Sequence, residues 1–271
     1  MMVSELLDRY EREVVPTLAT STQKNYVRHI VHLKNWFGDR DPSELKPKDF
    51  GPFLDKKGKG RVQRIKQLAV LSACFTQAVS VWYLIERNVL RDVKRPKQLP
   101  RDRLITDEEF AACKAIAPRR VRLAMELALV TGQRQGDIIN FKWSDIKAGA
   151  NGDELHIYQA KTRKRMAIAV TPQLEAILDR CCELPKRGEY VLTKRGGGKL
   201  TSEGIRSGWQ YTQRQWIKAG NSPFHFHDIR ALCATKLGSL ELAQALLGHS
   251  SPAMTRRVYR RGVEHVQPLQ L

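Results

Sequence analysis

A chain of 271 residues with 42% hydrophobic and 28% charged side chains can bury the core of one large or two modest domains, which excludes a disordered chain. Its 47 Lys and Arg against 28 Asp and Glu leave a formal net charge of +19, a standing field that concentrates polyanions and makes nucleic acid the first partner to consider. The five cysteines, Cys74, Cys113, Cys181, Cys182 and Cys233, show no C-x-x-C spacing and read as small core residues of a reduced, cytoplasmic protein. The start, "MMVSELLDRYEREV", mixes acids and bases, and no apolar run of about 18 residues occurs, so neither export nor membrane insertion is expected.

From Thr20, "TSTQKNYVRHIVHLKNWFGD" sets Tyr26, Ile30, Leu33 and Phe37 on one face at helical spacing, with hydroxyl caps expected before it and Gly38 after it. Beyond a turn-rich passage holding Pro42 and Pro47, the stretch from Val62 to Leu84 repeats the pattern through Ile65, Leu68, Ser72, Phe75, Val79 and Trp82. The N-terminal part, residues 1–95, therefore reads as a basic helical bundle. "VKRPKQLPRDRLIT" has two prolines and several basic residues without apolar periodicity, which suits an exposed linker, set at 96–105, before a second domain at 106–271.

Thr106 opens a capping box with Glu109, and two helical segments follow, the second ending at "VTG" where Gly132 can take the left-handed cap conformation. In "ELHIYQAKTRKRMAIAV", Leu155, Ile157, Met166, Ile168 and Val170 alternate at period two on either side of a basic turn, which predicts a β-hairpin with Lys161 near its tip. Thr171 and Pro172 form an N-cap and first-turn pair, and helices interrupted by glycines fill the remainder. The fold class expected is mainly α, with a small antiparallel β-sheet in the C-terminal domain and a helical-bundle N-terminal domain.

Four stretches concentrate groups suited to a phosphodiester: "TGQRQGD" around Arg134, "AKTRKR" around Lys161, "HDIRAL" with His227 and Arg230, and "HSSPAMTRRVYRRG" with His249 and Tyr259. Each alone has a plain structural reading. Arg134 and Lys161 would be solvated surface charges, His227 and Arg230 a helix cap with an exposed arginine, His249 a turn residue, and Tyr259 a half-buried aromatic on an amphipathic helix. His227 and Arg230, three apart at a helix start, face the same way and can both donate to phosphate oxygens. Taken by itself, "SLELAQALLGHSSPAMTRRVYRR" reads as a DNA-binding helix-turn-helix, the mark of a non-catalytic regulator.

The whole ordered set resembles the tyrosine recombinases, the family of bacteriophage integrases and chromosome-dimer-resolving recombinases. The family's T-G-x-R-x-x-[DE] box is matched by Thr131, Gly132, Arg134 and Asp137; its hairpin lysine by Lys161-Thr162; its H-D-[LI]-R by His227 to Arg230. L-G-H-S-S is matched by Leu247 to Ser251, and the nucleophilic tyrosine by Tyr259. The resemblance covers residues from about 105 to 271, and more loosely the helical N-terminal part, which is similar to the family's core-binding domain. One departure stands out: ten steps separate His249 from Tyr259 where the family more often has one fewer, so a residue is expected to be absorbed near Pro252. Tyr211 precedes the histidine box and is a poor substitute nucleophile.

Attack of a phenol on DNA needs a stabilised pentacoordinate phosphorane, an activated nucleophile and a protonated leaving oxygen. No acidic cluster points to a bound divalent cation, and no metal or cofactor is expected. Arg134 and Arg230 can each offer paired donors to non-bridging oxygens, which makes them the expected phosphate clamp. The resemblance implies that Tyr259 forms a 3′-phosphotyrosyl bond, that Lys161 is the general acid for the leaving 5′-oxygen, that His227 assists proton transfer at the nucleophile and that His249 hydrogen-bonds the phosphate. Asp137, one turn from Arg134, would hold that side chain in place.

The expected partner is double-stranded DNA, with Lys24, Arg28, Lys56, Lys57, Lys59, Arg61, Arg64, Arg163 and Lys164 as candidate backbone contacts. The resemblance implies a homo-tetramer on two DNA sites; a monomer free in solution and accessory DNA-bending proteins are both compatible with it. No arm-binding domain is expected ahead of the helical domain. Rival readings are the helix-turn-helix regulator and a type IB topoisomerase, which shares the chemistry but relaxes DNA as a monomer.

Overall fold

The computed structural model describes residues 1–55, 59–96 and 103–259, without the side chains of residues 59 and 257–259. The chain divides into two compact units, Met1–Pro100 and Arg101–Leu271.

The first unit is helical: α1 (Val3–Glu13), α2 (Thr20–Phe37), α3 (Gly51–Leu54) and α4 (Lys59–Ser80), with single 3-10 turns at Val15–Thr17, Pro47–Phe50 and Val89–Arg91. Helix α1 buries Val3, Leu6, Leu7 and Tyr10, the i, i+3, i+4, i+7 stripe of an amphipathic helix. They join Ile30, Leu33 and Phe37 of α2, Phe50, Phe53, and Leu68, Leu71 and Phe75 of α4 in one apolar core.

Two details differ from the sequence expectation. The N-cap of α2 is Ala19, which offers no side-chain cap, rather than a hydroxyl residue; the Gln23 amide instead donates to the Pro16 and Leu18 carbonyls at 3.0 and 2.8 Å. Helix α4 also stops at Ser80, short of Trp82 and Leu84. Tyr83 adopts a left-handed φ of 54°, and the Trp82 and Leu84 amides turn back onto the Gln77 and Ala78 carbonyls, satisfying the orphan acceptors of the last turn.

The second unit opens with α5 (Asp107–Ile116), α6 (Arg119–Thr131) and α7 (Gln135–Ile138). The Thr106–Glu109 capping box forms at the head of α5. A three-stranded antiparallel sheet follows in the order β1 (Ile146–Gly149), β2 (Gly152–Gln159), β3 (Lys164–Ala169). Its register pairs Leu155 with Ile168, Ile157 with Met166 and Gln159 with Lys164, so residues 160–163 make the hairpin turn. Then come α8 (Pro172–Cys182, capped by the Thr171 hydroxyl), α9 (Ser202–Lys218), α10 (Asp228–Lys236), α11 (Leu240–Leu247) and α12 (Pro252–Tyr259).

Helix α6 runs through the middle of this unit with Ala124, Met125, Leu127 and Ala128 buried. Its buried Glu126 carboxylate receives Lys114 of α5 and Arg180 of α8, each at 3.0 Å, so the charge is compensated on both sides. On the far side Trp209, Trp216, Phe224 and Phe226 meet edge to face. Four cysteines are buried, Cys182 is half-buried, and all five are free thiols. Among the described residues no helix is long and apolar enough to cross a membrane, and no cluster of His, Cys, Asp or Glu could hold a metal ion.

Candidate active site

Two glycines let separate parts of the second unit converge. Gly132 closes α6 in the left-handed conformation, φ 64°, and a β-carbon there would lie 3.0 Å from Leu247 Cδ2 and 3.2 Å from Cys233 Sγ. Gly248 closes α11 in the same way, φ 64°, with a β-carbon falling 2.7 Å from the Gln159 amide nitrogen. Any side chain at either position meets both an unfavourable φ and a packed neighbour. The ends of α6 and α11 thereby approach each other and the inner end of β2.

Arg230 of α10 lies in this junction, only 2% exposed. Its Nη1 donates to the Gly132 carbonyl and its Nη2 to the Leu247 carbonyl. A guanidinium has five N–H donors in a rigid plane, so these two bonds fix the plane and leave others for a ligand. Burial, and next the nearby Arg134 charge, bring the Arg230 pKa down to about 10, which still leaves it cationic at neutral pH.

Arg134 stands at the N-cap position of α7. Its Nη1 donates to Gln159 Oε1 at 3.2 Å and lies 3.8 Å from Asp137 Oδ2. Asp137, 4% exposed, accepts from the Ala160 amide at 3.1 Å through its other oxygen. It thus ties Arg134 to the first residue of the hairpin turn.

His249 follows Gly248 and is buried, its Nδ1 3.0 Å from the hydroxyl of the fully buried Thr255 in α12. Burial first, then the charges of Arg230, Arg134, His227 and Lys164, push its pKa down to about 4, so the ring is neutral at pH 7. In the tautomer in which the Thr255 hydroxyl donates to Nδ1, the ring proton sits on Nε2 and can be given to an anion. His227 occupies the N-cap position of α10 and is exposed. It shares a side of that helix with Arg230 but sits at a different depth. Lys161 lies exposed in the hairpin turn, beside Arg163 with its φ of 56° and Lys164 at the start of β3.

Arg134, Arg230, His227 and Lys164 all act electrostatically on one neutral imidazole, with Asp137 as the acid against Arg134. The charges of Arg134, Arg230 and Lys164 repel one another here, and a bound anion removes that cost. Tyr259 ends α12; its side chain lies outside the described residues. Only Ser250 and Ser251 separate His249 from the Pro252 that opens the helix, so most of the ten-step spacing is helical. Helices α11 and α12 do form the expected helix, turn and helix, but His249 and Thr255 face inward.

In the first unit Lys24, Arg28 and Arg61 are exposed on α2 and α4. Arg64 lies over the rings of Trp36 and Phe53, at 4.6 and 4.3 Å from their centroids. A cavity of about 350 Å³ between these helices is lined by Arg28, His29, His32, Gln63, Arg64 and Gln67. Lys56 and Lys57 lie outside the described residues, as does the Lys59 side chain.

Gln133, Gln159 and Thr255, all buried at the junction, are specified by none of the motifs in the sequence. For Gln159 a signal existed: Leu155, Ile157 and Gln159 share the inward face of β2, and an amide at a core position of an alternating strand calls for partners.

Residues 105–265 match the family model described as the phage integrase family. The chain belongs to that family. It is 30% identical over 268 residues to the integrase of Escherichia phage lambda, an alignment covering 92% of this chain and 73% of that protein. Among solved structures, a lambda integrase dimer bound to a COC′ core site superposes with a TM-score of 0.85 at 28% identity, covering 99% of both chains. A lambda integrase tetramer bound to a Holliday junction gives 0.82 at 28% identity, covering 99% of this chain and 80% of that one. The phage integrase assignment and the mainly helical fold with its small antiparallel sheet agree with the motifs read from the sequence.

Proposed function

We propose that this phage integrase family member is a site-specific DNA recombinase that cuts and rejoins strands through a 3′-phosphotyrosyl intermediate on Tyr259. The observation that carries the reading is the convergence of Arg134, Arg230 and His249 on one buried junction, from which α12 runs directly to the tyrosine. Arg134 and Arg230 clamp the non-bridging oxygens, their planes already set by carbonyl and amide partners, and His249 adds an Nε2–H donor. Donors fixed before the reaction stabilise the extra charge of the phosphorane without reorganising.

The Tyr259 phenol oxygen bonds to phosphorus as the bond from phosphorus to the 5′-oxygen breaks. The phenol proton passes toward His227, and Lys161 on its turn gives a proton to the departing 5′-oxygen. No water or ATP is consumed, because the phosphotyrosine keeps the energy of the broken linkage. A 5′-hydroxyl from a second duplex reverses the step and frees the phenol, which gives strand exchange. The reaction is read as the work of a homo-tetramer on two DNA duplexes, in the cytoplasm, with integration or excision of a mobile element as the outcome. Arg163 and Lys164 on the hairpin and Lys24, Arg28, Arg61 and Arg64 in the first unit serve as backbone contacts. Residues 1–95 and 106–271 are read as core-binding and catalytic domains.

A suicide duplex nicked near the cleavage point tests this reading. The wild-type chain should give a denaturant-resistant complex with it. Tyr259→Phe should bind the same duplex with unchanged affinity and give none. A normal adduct yield from that variant overturns the assignment.

A further inference from the structure

Gln159 is fully buried at the inner end of β2, and every hydrogen-bonding capacity of its amide is used. Its Nε2 donates to Gln133 Oε1 at 2.7 Å and to the Leu247 carbonyl at 3.0 Å, with Met166 Sδ a further neighbour at 3.6 Å. Its Oε1 accepts from Arg134 Nη1 at 3.2 Å and from the Thr162 hydroxyl at 2.8 Å. A carboxamide has two N–H donors and two acceptor lone pairs, which these four bonds use in full. A glutamate would set a carboxylate oxygen against two acceptors, and an aliphatic residue would remove all four bonds, leaving the buried Gln133 oxygen without its donor.

These partners belong to different parts of the site. Arg134 heads α7, Thr162 adjoins Lys161 in the hairpin turn, and the Leu247 carbonyl also holds Arg230 just before Gly248 and His249. Gln133 extends the network by donating to the carbonyls of Leu246 and Thr131, at 2.8 and 2.9 Å. Beside the Asp137 link from the Ala160 amide, the turn therefore reaches the buried junction through a side chain that is itself fixed at four points. We propose that Gln159 is a positioning residue for strand cleavage, registering the hairpin turn that carries Lys161 against the guanidiniums of Arg134 and Arg230. The proposal rests on the reading of Lys161 as the acid for the 5′-oxygen.

The test compares two nicked duplexes, one with the natural 5′-oxygen at the cleavage point and one with sulfur in its place. A sulfur leaving group has a conjugate-acid pKa of about 8.5 and departs without a proton donor, so a defect in proton delivery disappears on it while a defect in phosphate binding persists. The full-length chain is used in three variants: Lys161→Ala, Gln159→Leu and Thr162→Val. The last removes only the exposed hydroxyl that bonds Gln159, and it carries the test if Gln159→Leu fails to fold.

Lys161→Ala should lose roughly 100-fold or more on oxygen and recover on sulfur. Thr162→Val should lose about 10-fold on oxygen and recover to near wild type on sulfur, with DNA affinity unchanged. Gln159→Leu should lose about 100-fold and recover only in part, since it also releases Arg134. If Lys161→Ala recovers but Thr162→Val and Gln159→Leu slow equally on both duplexes, or not at all, the positioning role of Gln159 is wrong. If Lys161→Ala itself shows no recovery, the reading of Lys161 as the acid falls, and the role of Gln159 falls with it.

Discussion

Arg230 in the second unit and Arg64 in the first are both held back from solvent, yet by opposite means. Arg230 is buried with its guanidinium tied to two backbone carbonyls. Arg64 is half-buried, lies over the faces of Trp36 and Phe53, and has no hydrogen-bond partner for its buried Nη1 among the described residues. Directional bonds fix a charge in position, which suits a group that must meet a transition state. A ring face holds a cation loosely in direction, which suits contact with a continuous phosphate backbone. The two histidines follow the same division. His249 has Thr255 as its partner, whereas the buried Nδ1 of His29 has none among the described residues.

The largest expected effect breaks the directional side. Arg230→Lys keeps the charge but cannot span the Gly132 and Leu247 carbonyls, and cleavage should fall by roughly 100 to 1,000-fold with DNA affinity nearly unchanged. Arg134→Ala should be nearly as damaging, at roughly 3 to 4 kcal/mol of lost transition-state stabilisation. Single-turnover cleavage of a nicked duplex measures both. Retention of most of the rate by either variant would remove the distinction between the units.

A smaller effect concerns His249. Its folded pKa is about 4 against an ordinary value of 6.5, so between these values the unfolded chain binds the proton and the folded chain does not. The stability of the second unit should therefore fall as pH drops from about 6.5 toward 4. His249→Gln, which cannot take up that proton, should show a shallower decline over the same window in denaturant titrations. Parallel curves for the two proteins would mean that the imidazole is not held neutral.

The smallest effect lies in the first unit. Arg61→Ala and Arg64→Ala should each reduce the slope of log affinity against log salt by about 0.9, the loss of one phosphate contact. Cleavage at saturating DNA should stay at the wild-type rate. A large fall in that rate would give Arg64 a catalytic part that its ring-stacked setting does not suggest.

Arg134, Arg230 and His249, which stand in fixed boxes of the sequence, do meet at one junction, whereas the roles read for Lys161, His227 and Tyr259 from the same ordered boxes remain proposals. The strand alternation and the glycine and threonine caps at Gly132, Thr106 and Thr171 were equally local and equally readable. The neutral polar groups that aim those charges were harder to see. Gln133, Gln159 and Thr255 acquire meaning only when β2, α6, α11 and α12 meet, and their partners are up to 113 residues distant in the chain. The end of α4 is hidden in the sequence for a related reason. The apolar periodicity continues through Trp82, and it is the left-handed Tyr83 and the returning amides that stop the helix.

The most direct test of the central claim is to trap the wild-type chain on a nicked duplex, digest the complex and map the modified residue by mass spectrometry. The account requires a single adduct, on the phenol oxygen of Tyr259 and joined to a 3′-phosphate. An adduct on Tyr211 or any other residue, or linkage through a 5′-phosphate, would contradict it.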